Sequence, residues 1–211
     1  MRQPSTIPLA AMWPVPPPWR LRGDGHGLLF WMPGGRPGLM LFMRYADSDV
    51  GAYDELVWVD AWGLSVGGSR RHTVSRIYVS TEASVFNGRV NWGIPKELAV
   101  FSVTSLGALS ERVEVTSTMG QVASFSYCSS RRSLPVNAGL LPARWRTLVQ
   151  VSDGRSFETA PSARGRMHRA RFSELSVDPL AFPDVKQGRV LGGFSLRNFE
   201  MIFPVPVIES A

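Results

Sequence analysis

One lysine in an arginine-rich chain is the first place to look for chemistry. Of the 23 basic residues in the 211-residue sequence, all but Lys96 and Lys186 are arginine. Lys96 follows Pro95 in the segment Asn91–Phe101, NWGIPKELAVF, among Trp92, Ile94, Leu98 and Phe101. A guanidinium keeps its proton and serves a surface ion pair at least as well as an ammonium. An amine taken out of water can lose its proton and attack a carbonyl carbon. A lysine in such apolar company therefore points to nucleophilic chemistry. The competing reading is a lysine whose stem lies along its apolar neighbours while the charge stays in water.

The local sequence determines how Lys96 is presented. Pro95 fixes its own φ and drives Ile94 into an extended conformation, so Gly93-Ile94-Pro95 makes a stiff bend that delivers Lys96 into a strand. Successive strand residues face opposite ways, so a Lys96 that points inward turns Glu97 outward. Much of the remaining chain has a period of two. Glu55–Trp62, Thr73–Thr81, Ala99–Ser105, Glu111–Met119, Gln121–Cys128, Trp145–Val151 and Phe194–Phe203 read as strands, punctuated by turns such as Ser152-Asp153-Gly154. No long stretch has a clean helical period. Such spacing predicts a mainly β fold with minor α content, an antiparallel, barrel-like sheet able to enclose a small-molecule cavity. Residues 1–18 hold six prolines and form a proline-rich arm that cannot be helical. Residues 19–211 read as a single domain, long enough to bury a proper core.

Composition excludes several classes. With 44% hydrophobic and 19% charged residues the chain is neither disordered nor a coiled coil. A net charge of +6 raises the question of nucleic acid. The densest basic run, Ala163–Arg171, has no aromatic array for base stacking and reads as a solvated loop or strand edge, so no nucleic-acid partner is expected. The single Cys128 excludes an intrachain disulfide and fits a reducing, cytoplasmic compartment. His26, His72 and His168 stand far apart without ligand spacing, so no metal is expected. The prolines of the arm break any signal-peptide helix or membrane span.

Several short segments resemble, in order, a known family. Gly88-Arg89-Val90, four residues, then Pro95-Lys96-Glu97 is similar to the pattern around the Schiff-base lysine of the acetoacetate decarboxylase-like proteins, which is Gly-Arg-Glu, four variable residues, Pro-Lys-Lys. Val90 and Glu97 depart from it. Tyr53-Asp54-Glu55 resembles the family's Tyr-x-Glu, Arg76–Arg89 the strand and turn before its motif, and Asp184–Pro204 its closing strand. Asp24 stands where the family carries an arginine. The resemblance spans about Trp19 to Ile208. It implies the family's fold, Lys96 as nucleophile, Glu55 as a carboxylate near the substrate, no cofactor, a small carbonyl or keto-acid substrate, and a homo-oligomer, which the Trp- and Phe-rich composition also favours.

Four further residues are candidates for substrate binding. Arg76 alternates with apolar Ile77 and Val79, and either faces the cavity to bind a carboxylate or faces solvent. Arg89 either binds substrate or holds the turn before the motif through its carbonyls. Trp92 and Phe86 either line a pocket or fill the core. Two functions follow. One is a lyase-like enzyme working through a Lys96 imine, by decarboxylation or by aldol- or dehydration-type chemistry, since the imine serves all of these. The other is a non-catalytic binder of small carbonyl or carboxylate compounds, in which Lys96 stays charged and pairs with Glu55 or with a ligand carboxylate. Glu97 bears on the first reading, because an anion beside an ammonium holds its proton more firmly, unless the strand turns Glu97 into water and screening weakens the effect.

Overall fold

The structure is a computed structural model and describes residues 14–66 and 68–210. An antiparallel meander of β1 (Trp19–Met32), β2 (Arg36–Ser48), β3 (Tyr53–Val66) and β4 (Ser69–Val79) leads into α1 (Glu82–Trp92) and the short β5 (Lys96–Leu98). A second meander follows: β6 (Val100–Gly107), β7 (Ser110–Ser117) and β8 (Gly120–Asn137). Next come β9 (Leu148–Ser152) and β10 (Arg155–Thr159), the long β11 (Ser162–Val177) and β12 (Arg189–Phe203), and β13 (Val207–Ser210). All belong to one sheet in the order β13-β10-β9-β4-β3-β2-β1-β12-β11-β8-β7-β6, with β5 paired to β4. Pairing is antiparallel except where β4 meets β5 and β9. The expected mainly antiparallel architecture is present, but the ladder does not close on itself, and β6 and β13 form its two ends.

The middle of this sheet is buried on both faces, and residue parity decides which face a side chain takes. Even-numbered Leu28, Phe30, Met40, Phe42, Leu56 and Trp58 pack with Val113, Val115, Phe125 and Tyr127 of β7 and β8, which return over that face. Odd-numbered Trp19, Leu21, Met43, Tyr45, Tyr53 and Val57 pack with Trp92 and Ile94, from the end of α1 and the residues after it. Double burial explains why β2 escapes a period-two reading, since Leu39–Met43 is a continuous apolar run.

Two expectations are corrected. The segment before Pro95, which reads as strand and turn, contains the helix α1. Its buried residues are Ser84, Asn87, Gly88 and Trp92, so three of four inward positions are small or polar and no apolar stripe marks it. The basic run Ala163–Arg171 is no loop or edge: it lies in β11, hydrogen-bonded to β8 and β12, with Arg164, Arg166, Arg169 and Arg171 exposed. Residues 1–13 of the proline-rich arm lie outside the described residues. From Val15 the arm is tied to α1, where Val15 N donates to Asn87 Oδ1 (2.7 Å) and Asn91 Nδ2 donates to Val15 O (2.7 Å). Among the described residues no helix is long and apolar enough to cross a membrane.

Candidate active site

Lys96 reaches its position because α1 makes room for it. Thr81 caps the helix N-terminus, its hydroxyl accepting from Ser84 N (3.4 Å). At the other end Gly93 takes a left-handed φ of 63°, open to glycine at no steric cost, and its N–H closes onto Arg89 O (3.0 Å). Pro95 then sends the chain into β5, parallel to β4, with Lys96 opposite Ile77. Ser84 and Gly88, one turn apart, present the same face of α1 to the lysine. A Cβ on Gly88 would sit 2.5 Å from Lys96 Cδ, so only glycine lets the stem cross the helix there. Arg89 Nε donates to Lys96 O (2.8 Å), locking the β5 backbone to α1.

The lysine is buried together with a carboxylate. Lys96 Nζ lies 2.9 Å from Glu55 Oε2 and 2.9 Å from Ser84 Oγ, over the face of Tyr53 at 5.1 Å. Glu55 Oε1 accepts from Tyr45 Oη (3.2 Å). Glu55 comes from β3, where it pairs with Val79, so β4 intervenes between it and Lys96. Two strand spacings of nearly 5 Å put their Cα atoms roughly 10 Å apart, and only long side chains span the gap. Burial, and next the nearby Glu55 charge, hold the Tyr45 and Tyr53 hydroxyls well above the ordinary tyrosine range, so Tyr45 is a neutral donor to Glu55. The side chains of Lys96 and Glu55 are 5% and 9% exposed. An ion pair so far from water persists only because further hydrogen bonds complete it.

Both residues open onto a cavity of about 440 Å3 on the odd-numbered face, with walls of Leu41, Met43, Val57, Val74 and Ile77. Trp92 lines it, held by Nε1 donating to Pro204 O (2.8 Å). The other three candidates stand elsewhere. Arg76 is exposed opposite Trp58, on the other face, because its position on β4 has the opposite parity to Ile77. Arg89 is exposed and holds the backbone of Lys96 instead of lining the cavity. Phe86 is half-buried on α1 and outside the cavity wall. Glu97 is exposed, as the strand alternation requires. Sequence reasoning missed Ser84 and Tyr45, whose roles depend on the helix and on a partner strand, and Arg146, which enters the same cavity from the turn before β9. Among the described residues no three His, Cys, Asp or Glu side chains gather as a metal site.

No family model matches this sequence, and no curated protein sequence matches it. Solved structures do match. An acetoacetate decarboxylase from Legionella pneumophila superposes with a TM-score of 0.69 at 12% identity, covering 100% of this chain and 98% of that one. The enduracididine biosynthesis enzyme MppR complexed with pyruvate gives 0.61 at 13% identity, covering 92% and 91%. MppR complexed with the condensation product of pyruvate and imidazole 4-carboxaldehyde gives 0.60 at 14%, covering 93% and 90%. At these identities the likeness establishes the fold.

Proposed function

The chain has the acetoacetate decarboxylase fold, and we propose that it is an enzyme that forms an imine between Lys96 and a small keto acid or related carbonyl compound. The observation that carries this reading is the Lys96 amine, buried at one end of an apolar cavity and 2.9 Å from the Glu55 carboxylate. Glu55 takes a proton from the ammonium, which frees the amine lone pair. The amine adds to the carbonyl carbon, forming the C–N bond, and one proton passes from the nitrogen to the carbonyl oxygen, giving a hydroxyl. Glu55 returns its proton to the departing hydroxyl, which leaves as water. In balance, ammonium and ketone give iminium and water, with charge conserved. The iminium then withdraws the electron pair of an adjacent C–C or C–H bond, and hydrolysis regenerates Lys96. Ser84 Oγ keeps Nζ in line during this exchange, and the apolar walls limit competing water. The MppR complexes with pyruvate and with its condensation product support a small carbonyl ligand in a cavity of this fold.

The test is reductive trapping. Incubation with small keto acids and borohydride should add the mass of the reduced adduct to the peptide carrying Lys96, and Lys96→Arg should abolish it while leaving the circular dichroism spectrum unchanged. A folded wild type that traps none of a panel of keto acids would reject the enzyme and leave the binding reading, in which the Lys96–Glu55 pair stays ionic.

A further inference from the structure

The cavity that holds Lys96 has a second polar end. Arg146, just after the short 3-10 turn Ala143–Trp145, also lines it. One nitrogen of its guanidinium is engaged: Nη1 donates to Ala160 O (2.5 Å) and Pro161 O (2.9 Å). The remaining edge is not. Nε is buried without a hydrogen-bond partner, and among the described residues Arg146 makes no ion pair. A buried N–H of a permanent cation left unsatisfied in a wall of Val59, Val74 and Leu148 is an anomaly in a protein interior. The Nε–Nη2 edge of arginine is the one that takes a carboxylate with two parallel hydrogen bonds.

Strand β4 gives the distance between the two ends. Lys96 lies level with Ile77 and Leu148 level with His72. Five strand residues separate those levels, on the order of 16 Å before the bulge in β4 is allowed for. The Lys96 amine turns to Glu55, which lies level with Val79 and so farther from His72, and the wall between the two ends is apolar. Pyruvate or acetoacetate, whose carboxylate and carbonyl are adjacent or one carbon apart, is too short to touch both.

We infer that the cavity binds a medium-chain oxo acid end-on, with its carboxylate on the Nε–Nη2 edge of Arg146, its hydrocarbon chain along the apolar wall and its carbonyl at Lys96. The covalent part rests on the imine reading above; the carboxylate contact does not. A carboxylate held at Arg146 is remote from the iminium carbon, so it anchors the substrate and is not the group lost. The bond that breaks is then a C–H bond beside the iminium carbon: its electron pair enters the enamine and its proton goes to Glu55.

Calorimetry with octanoate and 1-octanol separates anchoring from imine formation. Octanoate should bind wild type, and Arg146→Gln should weaken it about tenfold or more, as expected for loss of a charge-assisted hydrogen bond. Binding of 1-octanol should change less than twofold, with Arg146→Lys falling between. Borohydride trapping should capture 7-oxooctanoate on Lys96 at lower concentration than 2-octanone in wild type, and Arg146→Gln should erase that difference. Octanoate that fails to bind, or binds Arg146→Gln as tightly as wild type, overturns the inference. Equal weakening of octanoate and 1-octanol also overturns it, because Arg146 would then only brace the cavity mouth through Ala160 and Pro161. Octanoate binding that depends on Arg146, with no trapping of 7-oxooctanoate, supports the anchor and rejects the imine.

Discussion

The two faces of the strands β1–β3 bury ionisable groups in opposite ways. On the odd-numbered face Lys96 and Glu55 lie 2.9 Å apart beside a hollow of about 440 Å3, with Tyr45 and Ser84 completing their hydrogen bonds. On the even-numbered face His26 is 1% exposed, stacked on Tyr127 at 3.7 Å and near Phe42 at 6.1 Å, at the edge of a second hollow of about 700 Å3 lined by Asp24, Arg44, Glu111 and Arg197. Its Nδ1 meets Ser195 Oγ (2.9 Å), which meets Ser129 Oγ (2.6 Å). Burial above all, then the Arg197 charge, lowers the imidazole to about 3, against a smaller opposing pull from Asp24. An interior charge is therefore kept where a countercharge comes with it. It is lost where burial and the Arg197 charge outweigh the pull of Asp24. The hollow beside Lys96 is walled by apolar side chains, whereas the one beside His26 is lined by charged ones.

The largest test of this contrast removes one partner on the odd-numbered face. Lys96→Ala leaves Glu55 buried without its cation and should cost about 3–5 kcal/mol in urea unfolding, whereas Lys96→Met with Glu55→Leu should recover most of that loss. A single variant as stable as wild type would mean the pair is hydrated. A like-for-like comparison then tests filled against hollow. Met40 and Met43 lie on the same strand, 0% and 5% exposed, but only Met43 lines the cavity. Met40→Ala should cost about 4 kcal/mol and Met43→Ala about 2 kcal/mol, because the first opens a new void and the second enlarges an existing one. Equal costs would erase the distinction between the faces.

His26 supplies a pH test. Above pH 6.5 the imidazole is neutral in both folded and unfolded chains, so the fold draws its full benefit there. As pH falls from 6.5 toward about 3, only the unfolded state takes up the proton. Stability should then drop by about 1.4 kcal/mol per pH unit from this residue. His26→Phe should flatten that part of the profile measured by thermal or denaturant unfolding, and an unchanged slope would assign the acid sensitivity to other groups. The smallest effect is expected at Glu97. Being exposed, its charge reaches Lys96 through water, so Glu97→Lys should change stability by less than about 0.5 kcal/mol and move the pH midpoint of imine trapping by less than about half a unit. A large move would show that the outward carboxylate is felt inside.

Several residues of the candidate site are legible in the sequence because their signal is local. Lys96 stood out through its rarity, its apolar neighbours and Pro95, and the inward–outward alternation of Lys96 and Glu97 follows from strand geometry alone. Glu55 was found through the Tyr-x-Glu resemblance. The orientation of Arg76 is not legible in the sequence because it depends on how β4 bulges against β3 between Trp58 and Val59. The helix α1 left no trace because what it buries is small and polar, shaped to receive a lysine stem.

Residues a few positions apart suffice to specify the period-two strands, the bend that delivers Lys96 and the opposite facing of Lys96 and Glu97. That Glu55 reaches Lys96 across β4, that Ser84 and Tyr45 complete the pair, and that Arg146 lies in the same cavity are properties of the folded sheet. Those meetings join residues 10 to more than 90 positions apart, and they follow from strand order and from where the packed sheet leaves hollows. Periodicity carries neither, because the same alternation serves a filled core and a cavity equally well.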